Sequence, residues 1–317
     1  MKYDLIIIGA GPAGLTAGIY ASRRALKTLI LSLDVGGQII NTPDIENYPA
    51  LDLISGPDLA SKMYQQAQKF GSEIKTGQEV NSIEKTEAGN FLVKCNGAEF
   101  ESEAVVLAFG KTPRKLDVTD SDKYLGRGLS YCATCDGPFF KGKSVAVVGG
   151  GNSALDAALY LSSICEKVYL IHRRDQFRGE EIEAEKLKSK SNVEFVLNSV
   201  PSGLVGDEVL ESVKVKDVNT GEEKEFLVSG IFVEIGYEVK ADFVKNLVDI
   251  DDRNQIIIDQ DGKTSCDGVF AGGDLTQTPY KQIVIAAGQG AVAALSAYDY
   301  IQKKLGKPAI RIDWGKQ

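Results

Sequence analysis

Histidine is nearly absent: His172 is the only one in 317 residues. A metal site built on several histidines is therefore excluded, and a Ser-His-Asp hydrolase would need His172 beside a nucleophile elbow, whereas it sits in a run of arginines. Cysteine is sparse, five residues with one close pair, which is too few for a disulfide framework or a four-cysteine zinc ribbon. Basic charge is outnumbered, 36 residues to 44, and the net charge of -8 leaves no extended basic surface for a nucleic-acid backbone. Long apolar runs are missing as well. Residues 5–8 and 145–148 stop at glycine, far short of the ~20 needed to cross a bilayer. The opening residues 1–4 lack the order of a secretion signal, so the expectation is a cytoplasmic protein with no membrane partner.

Glycine is abundant, 33 residues, and it clusters at junctions of apolar runs and helical patterns. Residues 3–8 read as a buried strand, Gly9-Ala10-Gly11-Pro12-Ala13-Gly14 as a tight turn, 13–24 as a helix and 27–33 as a second strand. The same unit recurs about 140 residues later: strand 144–148, turn Gly149-Gly150-Gly151-Asn152-Ser153-Ala154, a helix to 163, strand 167–171. Each copy is followed by strand-like segments ending at a glycine. The first set is 80–83, 91–95 and 100–109 before Gly110; the second is 193–197, 209–218 and 225–235 before Gly236. The expected fold class is α/β, with two Rossmann-like dinucleotide-binding domains, each a parallel sheet with a small antiparallel meander. The tail holds a strand pair, 256–259 and 269–271, and a helix over 282–304, but no glycine turn of its own, so it must complete another domain. The expected organisation is 1–112, then an inserted domain 113–242, then 243–317 returning to the first.

The glycine spacing suits a dinucleotide pyrophosphate: one glycine makes the turn, one lets the phosphate approach the backbone, and one packs the helix close, with the helix N-terminus supplying the positive end of its dipole. Asp34, 20 residues past Gly14, is a candidate ribose contact or a solvated loop acid. After the second copy come His172, Arg173, Arg174 and Arg178, where an NAD site would carry an acid, and this favours the 2′-phosphate of NADP. The alternative is an exposed basic strand end with Asp175 as partner. Cys132-Ala133-Thr134-Cys135 has the spacing of a reversible disulfide; half a zinc site or two idle thiols are its alternatives. Asp136 follows directly, and with the lone histidine in the second fingerprint an acid is the available proton donor for thiolate chemistry. A turn aspartate before Gly137-Pro138 is the other reading.

GAGPAG, the GGQ of Gly36-Gly37-Gln38, ENYP at 46–49, CATCDGPFF, GGGNSA, HRRDQFR and the AGGD of 271–274 occur in order. Together they resemble the low-molecular-weight, bacterial-type thioredoxin reductases, NADPH-dependent flavoprotein disulfide reductases, over essentially the whole chain. The resemblance implies FAD in the first domain and tail, NADPH in the middle domain, a homodimer, and a thioredoxin-like partner. It further implies that Cys135 faces the flavin and that Cys132 attacks the partner disulfide with Asp136 as acid. The implied FAD set is Gly9, Gly11, Pro12, Ala13, Gly14, Asp34, Gly37, Gln38, Asn47, Val80, Gly110, Asp274, Lys281, Gln282 and Ile283. The implied NADPH set is Gly149, Gly151, Asn152, Ser153, Ala154, His172, Arg173, Arg174, Arg178, Ile235 and Gly236. Three positions depart from the family pattern: Phe109 stands where threonine is usual, Lys281 where arginine is usual, and residues 236–240 replace a GxxPN-like turn. The first two are expected to bear on the flavin potential. Because the nicotinamide site and the disulfide share one domain and need one flavin, that domain is expected to swing on hinges near 111–116 and 236–242. Rival readings are a flavin-dependent dithiol oxidase, against which HRRxxxR speaks, the flavoprotein of a peroxide-reducing system, which usually carries an added N-terminal domain with its own CxxC, a reductase of another small redox protein, and a redox-sensing flavin module.

Overall fold

The computed structural model describes residues 2–42 and 45–307, and the chain divides into two compact units, Met1–Thr112 with Val239–Gln317, and Pro113–Glu238. The first unit opens with β1 (Lys2–Ile8), α1 (Pro12–Arg23) and β2 (Thr28–Leu31). Leu5, Ile6 and Ile7 are fully buried because β1 runs parallel to a neighbour on each side with both sheet faces covered, which is why the run is apolar throughout. The turn into α1 demands glycine: Gly9 has φ 108° and a Cβ there would lie 2.4 Å from the Ala108 carbonyl oxygen. Then follow α2 (Gly56–Lys69), β3 (Glu73–Lys75), β4 (Val80–Lys85), β5 (Phe91–Cys95) and β6 (Ala98–Leu107), giving the order β3-β2-β1-β6-β5-β4. β4, β5 and β6 are antiparallel, and the β5–β6 hairpin turns on Asn96 and Gly97, both at positive φ as a two-residue turn of this kind requires.

The chain leaves through β7 (Thr112–Pro113) into the inserted unit: β8 (Leu129–Ser130), α3 (Ala133–Asp136), β9 (Ser144–Gly149), α4 (Asn152–Ser162), β10 (Lys167–Ile171), α5 (Glu181–Lys188) and β11 (Val193–Val196). β12 (Ser199–Val205), β13 (Ser212–Asp217), β14 (Glu223–Leu227), β15 (Gly230–Glu234) and β16 (Tyr237–Glu238) complete it. The parallel sheet runs β11-β10-β9-β15-β8, and β12-β13-β14 form a separate antiparallel meander. This corrects the sequence reading in two places. Segment 193–197 pairs parallel with β10 instead of joining the meander, whose first strand is β12. Segment 225–235 is two strands in two sheets, divided where the Ser229 N–H turns away to the Ser144 carbonyl. β12 escapes a period-two reading because Pro201 and Gly203 flank a register shift that breaks its alternation.

Back in the first unit, Val239, Ala241 and Val244 are buried with Tyr3 and Phe91, so the return begins at Val239, ahead of the expected 243. β17 (Val269–Ala271) adds parallel to β6. The expected partner strand 256–259 is reduced to bridges from Ile256 to Ile250 and Thr276. α6 (Ile283–Lys304) lies against α1 so closely that a Cβ on Gly290 would be 2.0 Å from the Ala13 carbonyl oxygen. Residues 308–317 of the expected last segment lie outside the described residues. No helix among the described residues is long and apolar enough to cross a membrane.

Candidate functional site

A cleft of about 450 Å³ opens at the carboxyl ends of β1, β2 and β6 in the first unit. Its floor is the glycine turn. A Cβ on Gly11 would meet nothing nearer than the Gly36 carbonyl at 3.8 Å, and one on Gly37 would lie 3.5 Å from Gly11, so side chains there would fill the space that a phosphate backbone needs. Gly14 acts from below: its missing Cβ, which would sit 1.9 Å from the Gly9 carbonyl, lets α1 start tight against the turn. Pro12 occupies the first turn of α1, which has no acidic residue there, so the positive end of the helix faces the cleft uncompensated. Ala13, Asp34, Gly37, Gln38, Val80, Gly110, Asp274, Lys281, Gln282 and Ile283 all line the same cleft.

Asp34 stands exposed, three residues past the end of β2, while Ser32 ties the turn down by accepting a hydrogen bond from the Ala10 N–H at 3.1 Å. The Gln38 amide donates to the Lys111 carbonyl at 3.2 Å. Asn47 does not line the cleft; it is exposed and reaches it through a 3.3 Å bond to Gln282 Oε1. Burial raises the Asp274 carboxyl pKa and lowers that of the Lys281 ammonium, which donates to the Thr276 carbonyl at 2.6 Å. Phe109 packs at 5.0 Å on Phe243, and both line the cleft wall. A glycine turn at a helix N-terminus, an acid just past the strand end and an apolar wall are a set that fits a flavin dinucleotide.

The second unit builds its own glycine turn between β9 and α4. Gly149 has φ 155° and its Cβ would lie 2.3 Å from the Glu234 carbonyl oxygen, whereas Gly151 faces open space. Gly150 lies against His172, whose ring atoms would be 2.2 Å from a Cβ. His172, grouped by sequence with the nucleotide contacts, is 5% exposed, stacks on Phe177 and bonds through Nε2 to the Gln176 carbonyl; burial lowers its pKa. It supports the turn from beneath. Ala154 is likewise fully buried, Ile235 half-buried, and Gly236 exposed.

Arg173, Arg174 and Arg178 are exposed. Among the described residues none of them, including through Asp175, has a carboxylate partner. Their loop is fastened to the turn: the Arg178 and Gly179 N–H groups donate to the Gly150 carbonyl at 2.7 and 3.2 Å, and the Glu180 N–H donates to Asn152 Oδ1 at 2.8 Å. Ser153 is exposed in the first turn of α4, where no acid opposes an anion. These residues fit an anionic pyridine nucleotide.

Cys132 and Cys135 form a disulfide in the same unit, at the N-terminus of α3. The Cys135 N–H donates to Cys132 Sγ at 3.1 Å, and the Thr134 hydroxyl lies 3.4 Å from the same sulfur. Cys135 is exposed and Cys132 half-buried. Asp136 is held by a residue that the sequence reading missed: the buried Ser130 donates to Asp136 Oδ2 at 2.6 Å and accepts from the Cys132 N–H at 3.0 Å. A hydroxyl two residues before the CxxC is the signal that was available. The bond between the two sulfurs favours the disulfide reading over half a zinc site, and among the described residues there is no cluster of metal-ligating side chains.

The chain is 39% identical over 308 residues to the thioredoxin reductase of Bacillus subtilis, covering 95% of each protein. It is 39% identical over 302 residues to an alkyl hydroperoxide reductase protein of Pseudomonas putida, covering 94% of this chain but only 58% of that one. Lactococcus lactis thioredoxin reductase in its FR conformation superposes with a TM-score of 0.84 at 39% identity, over 95% of this chain and 100% of that one. The sequence pattern described as pyridine nucleotide-disulphide oxidoreductase matches residues 3–290, through both glycine turns and the disulfide between them. With that span matched, the chain belongs to the pyridine nucleotide-disulphide oxidoreductases, a family whose redox chemistry implies a flavin and a pyridine nucleotide.

Proposed function

We propose that the chain is a thioredoxin-disulfide reductase, a cytoplasmic homodimer that carries electrons from NADPH through FAD and the Cys132–Cys135 disulfide to a thioredoxin-like protein. The observation that carries the reading is the convergence of donors on Cys132 Sγ within a disulfide whose other sulfur is exposed. When bound, the flavin supplies the means of passing an electron pair from the nicotinamide to a disulfide. The residues of the chain do the rest. Cys135 Sγ is the accessible sulfur, so it accepts the pair, and the Cys132 sulfur leaves as the thiolate that the Cys135 N–H and the Thr134 hydroxyl stabilise. That thiolate attacks the partner's disulfide, forming a mixed disulfide and expelling a partner thiolate, to which Asp136, steadied by Ser130, delivers a proton. Cys135 then attacks Cys132 Sγ, re-forming the internal disulfide and releasing the partner as a dithiol.

FAD is supported by the glycine turn together with Asp34 just past the end of β2, and NADPH by three exposed arginines where an acid would serve NAD. The likeness to the Pseudomonas putida alkyl hydroperoxide reductase protein supports a second reading, service to a peroxide-reducing system through the same sulfur chemistry. Anaerobic titration of the flavin-loaded protein tests the reading: the wild type should consume about two equivalents of NADPH per chain and Cys135→Ser about one, since the flavin and the disulfide each take one pair. Equal consumption by the two proteins would remove the disulfide from the electron path.

A further inference from the structure

Three apolar side chains in the cleft of the first unit have no part in the chemistry above. Phe109 follows β6, and Phe243 belongs to the helical turn Asp242–Val244. Both are half-buried and line the cleft, and their rings meet tilted at 58° with centroids 5.0 Å apart. Leu33 lines the same cleft from the loop after β2 and is 62% exposed. A cleft that presents an aromatic pair and an exposed leucine leaves apolar surface in water, and a flat apolar ligand would cover it.

Backbone contacts fix where in the cleft this surface lies. A Cβ on Gly9 would be 2.8 Å from the Phe109 Cα, so Phe109 starts at the edge of the glycine turn. The loop that carries Leu33 and Asp34 is joined to the approach to β4: the Gly77 and Gln78 N–H groups donate to the Leu33 and Ser32 carbonyls, each at 3.0 Å. The turn that carries Phe243 lies against β4, whose first residue, Val80, also lines the cleft. Phe243, Val80 and Leu33 are thus gathered on the side of Asp34, and Phe109 joins them to the glycine turn. An acid after the second strand of such a unit takes the adenosine ribose, so the base on that ribose falls at this end.

We propose that Phe109 and Phe243 form an aromatic platform for the adenine of the flavin dinucleotide, through which the cleft selects a dinucleotide by its base. The inference rests on reading this cleft as the flavin site. Phe109 stands where the family pattern has threonine, so the paired platform is a feature of this chain. Stacking of a base on one aromatic ring supplies about fivefold in affinity at its low end.

The test is binding of FAD to the flavin-free full chain, with ADP as competitor. ADP carries the adenosine and both phosphates but no isoalloxazine, and its displacement of FAD reports on this cleft alone. Phe109→Thr should weaken FAD and ADP by the same factor, about fivefold or more, and Phe243→Leu, which keeps apolar bulk without an aromatic face, should weaken both as well. Phe109→Tyr, which keeps the ring, should bind both as the wild type does. Unchanged affinities in Phe109→Thr overturn the proposal. A loss for FAD that ADP does not share overturns it too, since the ring then lies beside another part of the flavin. Equal losses in Phe109→Tyr and Phe109→Thr reduce the ring to packing, and an ADP that cannot displace FAD from the wild type leaves no adenine site to propose; either result sinks the idea. Failure of the wild type to bind FAD overturns the flavin reading, and this inference with it.

Discussion

Replacing Arg173 and Arg174 together with glutamine removes two exposed guanidiniums that have no carboxylate partner among the described residues, so no internal ion pair is broken and the loss falls on the ligand. The loop itself stays fastened, because its bonds to the Gly150 carbonyl and Asn152 are made by backbone N–H groups of residues 178–180. Each charge-assisted contact to a 2′-phosphate contributes about 1.5 kcal/mol at the low end, or about 150-fold for the pair before screening. Solvent screening at exposed side chains lowers that figure, and a loss of at least about tenfold in kcat/KM for NADPH remains. NADH, which lacks the phosphate, should change little. The assay is steady-state reduction of a disulfide acceptor with each nucleotide at two salt concentrations, the NADPH advantage of the wild type shrinking as salt rises. A wild type that prefers NADH, or a variant that loses both nucleotides equally, refutes the assignment.

Gly290→Ala should destabilise the first unit by about 1–3 kcal/mol or more, since its Cβ would be 2.0 Å from backbone in α1 that has nowhere to move; an unchanged melting temperature contradicts this. Ser130→Ala should slow reduction of a protein disulfide about tenfold through the lost 2.6 Å bond to Asp136, yet leave NADPH-driven flavin reduction at the wild-type rate. Glu234 retains its proton in the folded protein at pH values where the unfolded chain has lost it. The stability this contributes is full below about 4.5 and disappears as pH rises to about 7, by up to about 3 kcal/mol. Urea midpoints of wild type should therefore fall relative to Glu234→Gln across that window, and parallel curves would contradict the carboxyl's placement.

Local demands were legible and distant ones were not. The two strand–turn–helix units could be read because Gly9, Gly14 and Gly149 meet backbone that the same short motif or its neighbouring strand supplies, so spacing and geometry coincide. Gly290 meets Ala13 from the far end of the chain, and nothing within α6 marks it among other small residues. His172 looked like a ligand because it adjoins two arginines. Strand β10 ends at Ile171, and the next residue turns its ring inward beneath Gly150 while the arginines stay out. The division of 225–235 between two sheets falls at Ser229-Gly230, a breaker pair short enough to read as part of one long apolar strand, and the switch is made by a long-range bond to Ser144. Ser130 was passed over for a similar reason: its bond to Asp136 spans a helix start that a motif of sulfurs alone does not describe.

The most direct measurement follows NADPH oxidation in the presence of a purified thioredoxin disulfide, with wild type and Cys135→Ser compared and the thioredoxin dithiol counted. Electron flow through the Cys132–Cys135 disulfide predicts one dithiol formed per NADPH consumed by the wild type. The variant should form none, although NADPH still reduces its flavin. Dithiol formation by Cys135→Ser at the wild-type rate, or NADPH consumption by the wild type without any dithiol, would contradict the account.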